Sequence, residues 1–347
     1  MKLFFHRFDL RLKHTFTIAH DSRDVQQTLI VELRDDNGLR GFGEATANKY
    51  YGITIDRMVA DLEAISLPLA LANGGNSNLS AEELWDIVHP HLAQNPFAQC
   101  ALDEAMHDLV AKRARMPLYK YWNLDPARNP ISNYTIGIDT VENMVAKMRE
   151  LPWPLYKIKL GTKDDLAIVR ELRKHTDSRF RVDANCAWTA DETIRLAPEL
   201  QALGVEFIEQ PLPADDYEGQ QRVFAQSVLP VIADESCIVE ADVEQCVGRF
   251  HGINIKLTKC GGLTPARRMI EQARQAGMQV MVGCMTESSV GISAIAQLLP
   301  LLDYVDMDGT LLITNDPATG VTLDYGQVFY AEENGTGAGL KSETAKR

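Results

Sequence analysis

The chain has no apolar run long enough for a bilayer. Its two greasiest stretches, residues 64–72 and 292–302, fall short of the roughly 20 residues a membrane helix needs, and Gln297 and Pro300 interrupt the second. The basic opening, MKLFFHRFDLRLKHTF, regains charge at His6 and Arg7 before a signal-peptide core could form, so it reads as a strand. Cysteine is sparse and unpaired in pattern. The six residues Cys100, Cys186, Cys237, Cys246, Cys260 and Cys284 contain no CxxC, which argues against a disulfide scaffold or sulfur-held metal and for reduced thiols in a cytoplasm. Positive charge is also short: 35 Lys and Arg against 48 Asp and Glu leave a net charge of −13, a poor match to nucleic acid or an anionic membrane.

What is present is ordinary globular material. Apolar residues make up 45% and charged residues 24%, unlike a disordered chain, and 347 residues suffice for a large barrel with a second domain. Homo-oligomer formation is left open by this composition.

From about residue 131 onward, short β-type runs alternate with amphipathic stretches, the pattern of a parallel sheet built from βα units. The runs are SNYTI, LYKIKL, RFRVDA, VEFIEQ, PVIADE, GINIKL, MQVMVG and DYVDMD. Amphipathic segments at 164–176, 189–203 and 265–276 lie between them. The predicted fold is α/β, a TIM-type (β/α)7β barrel with an α+β capping domain. An open doubly wound sheet would want a Gly-rich phosphate turn after its first strand, and GIDTVEN does not supply one. The capping domain is expected over 1–125, with strands at 2–8, 27–34 and 39–45 and helices at 55–72, 81–89 and 97–114. The barrel is expected over 126–310, entered through a proline-containing linker at 125–130. Residues 311–347 are expected to return to the capping domain and to end in a loose polar tail at 342–347.

In a TIM-type barrel the C-terminal strand ends build the active site. Lys159, Asp183, Glu209, Asp234 and Lys256 follow one another at gaps of 24, 26, 25 and 22, close to one per βα unit, so five ionisable groups should converge on one mouth. Lys157 shares a strand face with Lys159, and Asp306 shares one with Asp308. Taken singly these residues mean little: KxK is usually a solvated strand face, a lone Asp after an apolar run is usually a helix cap, and DMD is as often a polar loop entry. Together, three carboxylates facing one cavity demand a cation. An oxygen-only set suits Mg2+ or Mn2+ rather than zinc, and a lysine beside such a cation can act as a base.

The KxK, VDAN, IEQP and ADES segments, and NIK followed by GG, resemble the muconate-lactonising branch of the enolase superfamily over nearly the whole chain, including the late GTGAGL. The resemblance implies Mg2+ chemistry on the carbon next to a carboxylate, through an enediolate. It makes Lys159 and Lys256 bases on opposite faces of the substrate, Lys157 an assisting charge, and Asp183, Glu209 and Asp234 the metal ligands. Within the branch, GCMTES (283–288) and the Asp306/Asp308 pair resemble dipeptide epimerases, which implies that the aspartates hold a free α-ammonium. A dipeptide substrate is therefore expected, L-Ala-D/L-Glu from cell-wall peptides being the commonest activity of that group. An N-succinylamino acid racemase, an o-succinylbenzoate synthase or a muconate cycloisomerase would keep the same five residues but need no ammonium site. A non-catalytic metal-dependent binding protein would have no use for the two strand-end lysines. Residues 14–23 and 47–52 correspond to loops that close over the site in that family. Arg23 is a candidate substrate ligand there, for an acidic side chain, although Asp21 and Asp24 would suit a basic one. Glu287 is open between a role at the mouth and a helix start, and the cysteines near the strand ends are expected to be packing residues.

Overall fold

The computed structural model describes residues 1–18, 21–65 and 79–341. Three antiparallel strands begin the chain in the order β1 (Lys2–Ile18), β2 (Asp21–Arg34) and β3 (Arg40–Thr46). The first two run well past the expected strands. They continue as a two-stranded arm that pairs Phe16–Ile18 with Asp21–Arg23, after a register shift between Arg11 and Phe16, where a loop was expected over 14–23. Phe16 and Ile18 alternate with Thr15 and Thr17 on one strand of the arm, a strand-type pattern that the reading as a loop passed over, while the facing Asp21, Ser22 and Arg23 are polar.

Three helices follow: α1 (Ile55–Ala64) and α3 (Pro96–Arg113), which pack on the sheet, and α2 (Ala81–Leu92), which packs on α3. Thr54 caps α1, and Ser80 with Glu83 forms a reciprocal capping box on α2. The expected continuation of α1 toward residue 72 and the tail at 342–347 lie outside the described residues. Pro96 opens α3, whose residues are buried almost all the way round, as befits a helix with neighbours on every side.

All eight expected barrel strands form. They are β4 (Tyr134–Ile136), β5 (Leu155–Lys159), β6 (Arg179–Asp183), β7 (Val205–Glu209), β8 (Val231–Ala233), β9 (Gly252–Ile255), β10 (Gln279–Gly283) and β11 (Tyr304–Asp306), paired in chain order. The parallel bridge Ser132 to Val305 brings the last strand back to the first. Helices fall in each of the seven gaps, among them Val141–Glu150, Asp165–Arg173, Ala190–Ala202 and Leu263–Gln275, which gives (β/α)7β. After β11 the chain makes only a short 3-10 turn at Gly309–Leu311. The linker at 125–130 holds another at Pro126–Arg128, capped by Asp125.

Beyond residue 311 the chain touches both halves of the molecule. Lys13 N–H donates to Leu312 O and Leu118 N–H to Gly335 O, while Ser132 N–H donates to Gly326 O. The strand pair Ala318–Thr319 with Gly339–Leu340 is antiparallel.

Candidate active site

Strands two and six of an eight-strand barrel lie across from each other, and they carry the two lysines: Lys159 ends β5, and Lys256 directly follows β9. Between them, on one side of the mouth, Asp183 ends β6, Glu209 ends β7 and Asp234 follows β8. Asp306 and Asp308 stand on and just after β11. The structure thus brings together all eight of these sequence-predicted residues, including Lys157 one pleat below Lys159.

Each of the three carboxylates is tied to the fold by one oxygen and aims the other at a lysine. Asp183 Oδ1 accepts from Asn185 N–H at 3.0 Å, and its Oδ2 lies 2.6 Å from Lys159 Nζ and 3.2 Å from Lys157 Nζ. Glu209 Oε1 accepts from Asn254 Nδ2 at 2.9 Å, and its Oε2 lies 2.7 Å from Lys157 Nζ. Asp234 Oδ1 is held by the buried Lys259, and its Oδ2 lies 3.0 Å from Lys256 Nζ. The Lys157 contact to Glu209 is an ion pair without hydrogen-bond alignment, since Glu209 Oε2 is buried and accepts no directed bond. Asp183 and Glu209 meet at Lys157 while Asp234 turns to Lys256 and Lys259, so the lysines hold the three apart; as hard carboxylate donors on neighbouring strand ends, one with an orphan buried oxygen, they fit a small divalent cation.

Charge balance follows from that geometry. Burial alone would raise the carboxyl of Asp183, but Lys159 and Lys157 hold it down at about 2. Burial would likewise raise Asp234, and Lys256 with Lys259 pulls it lower still. Glu209 is pushed up to about 7 by burial and by Asp183. Burial works against the ammonium forms of Lys157 and Lys256, yet the facing carboxylates win and raise both above the usual lysine range, Asp306 acting most strongly on Lys157 and Asp234 on Lys256.

The strand-eight aspartates are not equivalent. Asp306 Oδ2 accepts from Lys157 at 2.9 Å and its Oδ1 from Asn133 at 2.8 Å. Asp308 Oδ2 accepts from Thr135 N–H at 2.5 Å, the Thr135 hydroxyl also bonds this carboxyl, and its Oδ1 meets the Cys284 thiol at 3.9 Å. Burial and the neighbouring Asp306 raise Asp308 to about 7. Cys284, Asp306 and Asp308 place ligand-type atoms within 4.8 Å of one another, but burial holds the thiol far above its usual pKa and Lys157 already occupies Asp306, so the trio is a poor metal site.

Lys157, Lys159, Asp234, Lys256, Asp306 and Asp308 line a cavity of about 340 Å³, a size for a small molecule, with Asp183 and Glu209 buried behind them. The β1–β2 arm and the 47–52 loop form its outer wall with Phe16, Ile18, Arg23, Tyr50 and Tyr51. The arm is fastened to the barrel by Ile138 N–H donating to Thr17 O at 2.9 Å and by the His14–Glu150 pair at 3.0 Å. Arg23 does reach the cavity, tethered to Asp21 at 3.2 Å, and its buried Nε lacks a partner. Burial lowers its pKa, and Asp21 opposes the shift. Asp24 instead accepts from Thr15 and does not line the cavity.

Sequence reasoning missed four contributors: Asn254, Lys259, Gln210 and Glu235. Each lies within three residues of a predicted site residue, the one sequence signal that points to them. Glu287 accepts from Met285 N–H at 3.1 Å and packs against Gly291 near Glu44; burial and Glu44 push it up to about 8. It braces the 284–288 loop behind the cavity wall.

Residues 4–121 match the family model of the mandelate racemase / muconate lactonizing enzyme N-terminal domain, and residues 139–343 match that of the enolase C-terminal domain-like family. The chain is 56% identical over 340 residues to an L-Ala-D/L-amino acid epimerase of Flavobacterium johnsoniae, covering 98% of this chain and 100% of that protein. It is 37% identical to an L-Ala-D/L-Glu epimerase of Bacteroides thetaiotaomicron, with 97% and 87% covered. The substrate-liganded L-Ala-D/L-Glu epimerase of Bacillus subtilis superposes with a TM-score of 0.90 at 26% identity, over 97% of this chain and 98% of that one. A dipeptide epimerase of Methylococcus capsulatus, complexed with Mg and the dipeptide L-Arg-D-Lys, gives 0.87 at 32% identity, with 97% and 98% covered. The chain belongs to the enolase superfamily, in the group that takes its name from mandelate racemase and muconate lactonizing enzyme.

Proposed function

We propose that this protein is a dipeptide epimerase that inverts the α-carbon of the C-terminal residue by moving one proton between two lysines. The observation that carries the reading is the placement of Lys159 and Lys256 on opposite strands of one mouth, each paired with a different carboxylate. A one-base reaction needs only one such group. With the α-carbon between them, Lys159 takes the proton from one face and Lys256 delivers a proton to the other, and the roles exchange for the reverse reaction. Asp183, Glu209 and Asp234 would hold Mg2+, with Mn2+ as a substitute. When bound, such a cation supplies fixed positive charge beside the substrate carboxylate and competes with the lysines for the same carboxylate oxygens.

Asp308 and Asp306, both lining the cavity, would receive the substrate's α-ammonium. That pair supports a dipeptide over the N-acylated substrate of an N-succinylamino acid racemase or the nitrogen-free substrate of an o-succinylbenzoate synthase, neither of which offers an α-ammonium. The epimerase names of the relatives at 56% and 37% identity support the same choice. We assign the capping domain to 1–125, the barrel to 126–310 and the returning segment to 311–347. A cytoplasmic setting fits the six unpaired thiols.

The test is a dipeptide library incubated with enzyme and Mg2+ in D2O and read by mass spectrometry. Deuterium should enter the α-carbon of the C-terminal residue, with L-Ala-L-Glu and other L-Ala dipeptides among the substrates. Exchange into N-succinylamino acids with none into dipeptides would hand the assignment to the racemase reading.

A further inference from the structure

Gln210 directly follows Glu209, is fully buried, and holds a backbone φ of +32°, a region non-glycine residues seldom occupy. Its amide is saturated. Oε1 accepts from Asp234 N–H at 2.9 Å and from Ser236 N–H at 3.1 Å, and Nε2 donates to Leu212 O at 2.8 Å and to Ser236 Oγ at 2.9 Å. Two backbone donors on one side and a carbonyl on the other fix which way the amide faces. Its main chain is committed as well: N–H donates to Ile232 O at 2.9 Å, and C=O accepts from Cys186 N–H at 2.8 Å. One residue therefore bonds the segments that follow β6 and β8 while standing at the end of β7. Those three strand ends carry Asp183, Asp234 and Glu209.

We propose that Gln210 is the positioning residue that sets the spacing of the three carboxylates and, through it, the affinity for the divalent cation; the proposal rests on the reading that these carboxylates hold one. A small hard cation tolerates little error in ligand distance, so a shift of the Asp234 loop by a few tenths of an ångström is felt as lost affinity. Without the amide, the buried N–H groups of Asp234 and Ser236 lose their acceptor, and the loop has to move to find another. The left-handed φ of Gln210 is retained because bonds on all sides over-determine it.

The experiment is calorimetric titration of Mg2+ into the full-length wild type, Gln210→Met and Asp103→Asn, well below their melting temperatures. Asp103 is buried and bonded to Thr264 rather than to any of the cation ligands, and serves as a stability control. Gln210→Met should bind Mg2+ about 10-fold to 100-fold more weakly, the range seen when groups supporting metal ligands are removed. The Mg2+ concentration for half-maximal turnover should rise in step, with kcat largely restored at saturating Mg2+. Asp103→Asn should lose melting temperature while keeping wild-type Mg2+ affinity. Folded Gln210→Met that binds Mg2+ as the wild type does overturns the proposal and leaves Gln210 a packing residue. Should Gln210→Met fail to fold, Gln210→Asn, with its amide one carbon too short, is read against the same outcomes. A wild type that binds no divalent cation overturns the cation reading itself, a result visible in the first titration.

Discussion

Two clusters of buried charge sit in this molecule, and they solve the same electrostatic problem in opposite ways. At the barrel mouth, Asp183, Glu209 and Asp234 are balanced by Lys157, Lys159, Lys256 and Lys259. Along α3, the carboxylates are satisfied chiefly by backbone. Asp108 accepts from Phe42 N–H at 2.9 Å, from Thr336 N–H at 2.8 Å and from Lys112 at 2.6 Å. Glu104 accepts from Glu44 N–H, and Glu44 in turn accepts from Ser288 and from Gly291 N–H. Burial raises Glu44, Glu104 and Asp108, so these groups lean toward the protonated form. The mouth balances its carboxylates with lysines; the α3 seam spends its carboxylates on fixing the cap, the barrel and the C-terminal segment to one another. Two glycines make room for it. An added Cβ would come within 2.4 Å of Asp103 at Gly262 and within 2.0 Å of Asp108 at Gly335, both at positive φ.

The comparison breaks first if mouth and seam variants fail alike. Lys256→Met should lower turnover by about 10³-fold, within the range for removing a positioned acid or base. Its stability should change little, because Asp234 keeps Lys259 as a partner. Chelation should abolish turnover and Mg2+ restore it, with Asp183→Asn, Glu209→Gln and Asp234→Asn each weakening Mg2+ binding in calorimetry.

Asp108→Ala should do the reverse of Lys256→Met. It strands the N–H groups of Phe42 and Thr336 in the interior, at about 1–3 kcal/mol for each unsatisfied group. Chemical denaturation should show the loss, while turnover per folded molecule stays near that of the parent.

A finer contrast lies in pH. His107 donates to Thr264 Oγ1 at 2.9 Å, and Thr264 donates to Asp103 Oδ1 at 2.7 Å. The 3.8 Å approach of His107 to Asp103 is not a charged pair: burial, aided by Arg267, drops the histidine to about 3, and burial lifts Asp103 to about 7. The folded state therefore resists protonation of His107, whose stabilising contribution is full above pH 6.5 and is lost as pH falls toward 3. Asp103 has the opposite sign, since its folded form takes up a proton near pH 7 and gains stability as pH falls toward 3.8. Relative to the parent, His107→Gln should gain stability on acidification from pH 6.5 to 4 and Asp103→Asn should lose it, each by at most about 1.4 kcal/mol per pH unit. Denaturation midpoints across that range would reveal the two tilts; parallel profiles would contradict the neutral His107. The smallest effect is expected at Arg23. Arg23→Gln should raise KM for acidic C-terminal side chains by several-fold and leave apolar ones nearly unchanged, as steady-state kinetics on the two dipeptide classes would reveal.

The barrel was legible because each βα unit repeats the same apolar run and because polar residues at strand ends recur at nearly constant spacing, from Lys159 to Lys256. The catalytic-mouth candidates inherited that legibility. The α3 seam did not, since Asp103, Glu104 and Asp108 on a helix ordinarily face water, and only packing from the barrel side reverses that. The β1–β2 arm was read as a loop although Phe16 and Ile18 alternate with Thr15 and Thr17, because the alternation is short and the facing strand, Asp21 to Arg23, is polar and held by backbone pairing. Gln210 and Lys259 act through bonds to the strand-end residues, and no residue type signals that.

The central claim is that two lysines work from opposite faces, and face-resolved exchange of the single-lysine variants tests it most directly. Lys159→Ala and Lys256→Ala would each be incubated with the L-configured and the D-configured C-terminal epimers in D2O, and α-deuterium and net inversion followed separately. Lys159→Ala should lose exchange from the L epimer and Lys256→Ala from the D epimer, some exchange should survive on the untouched face, and neither variant should complete inversion. Net epimerisation by Lys256→Ala at a rate near that of the parent would contradict the two-base account outright.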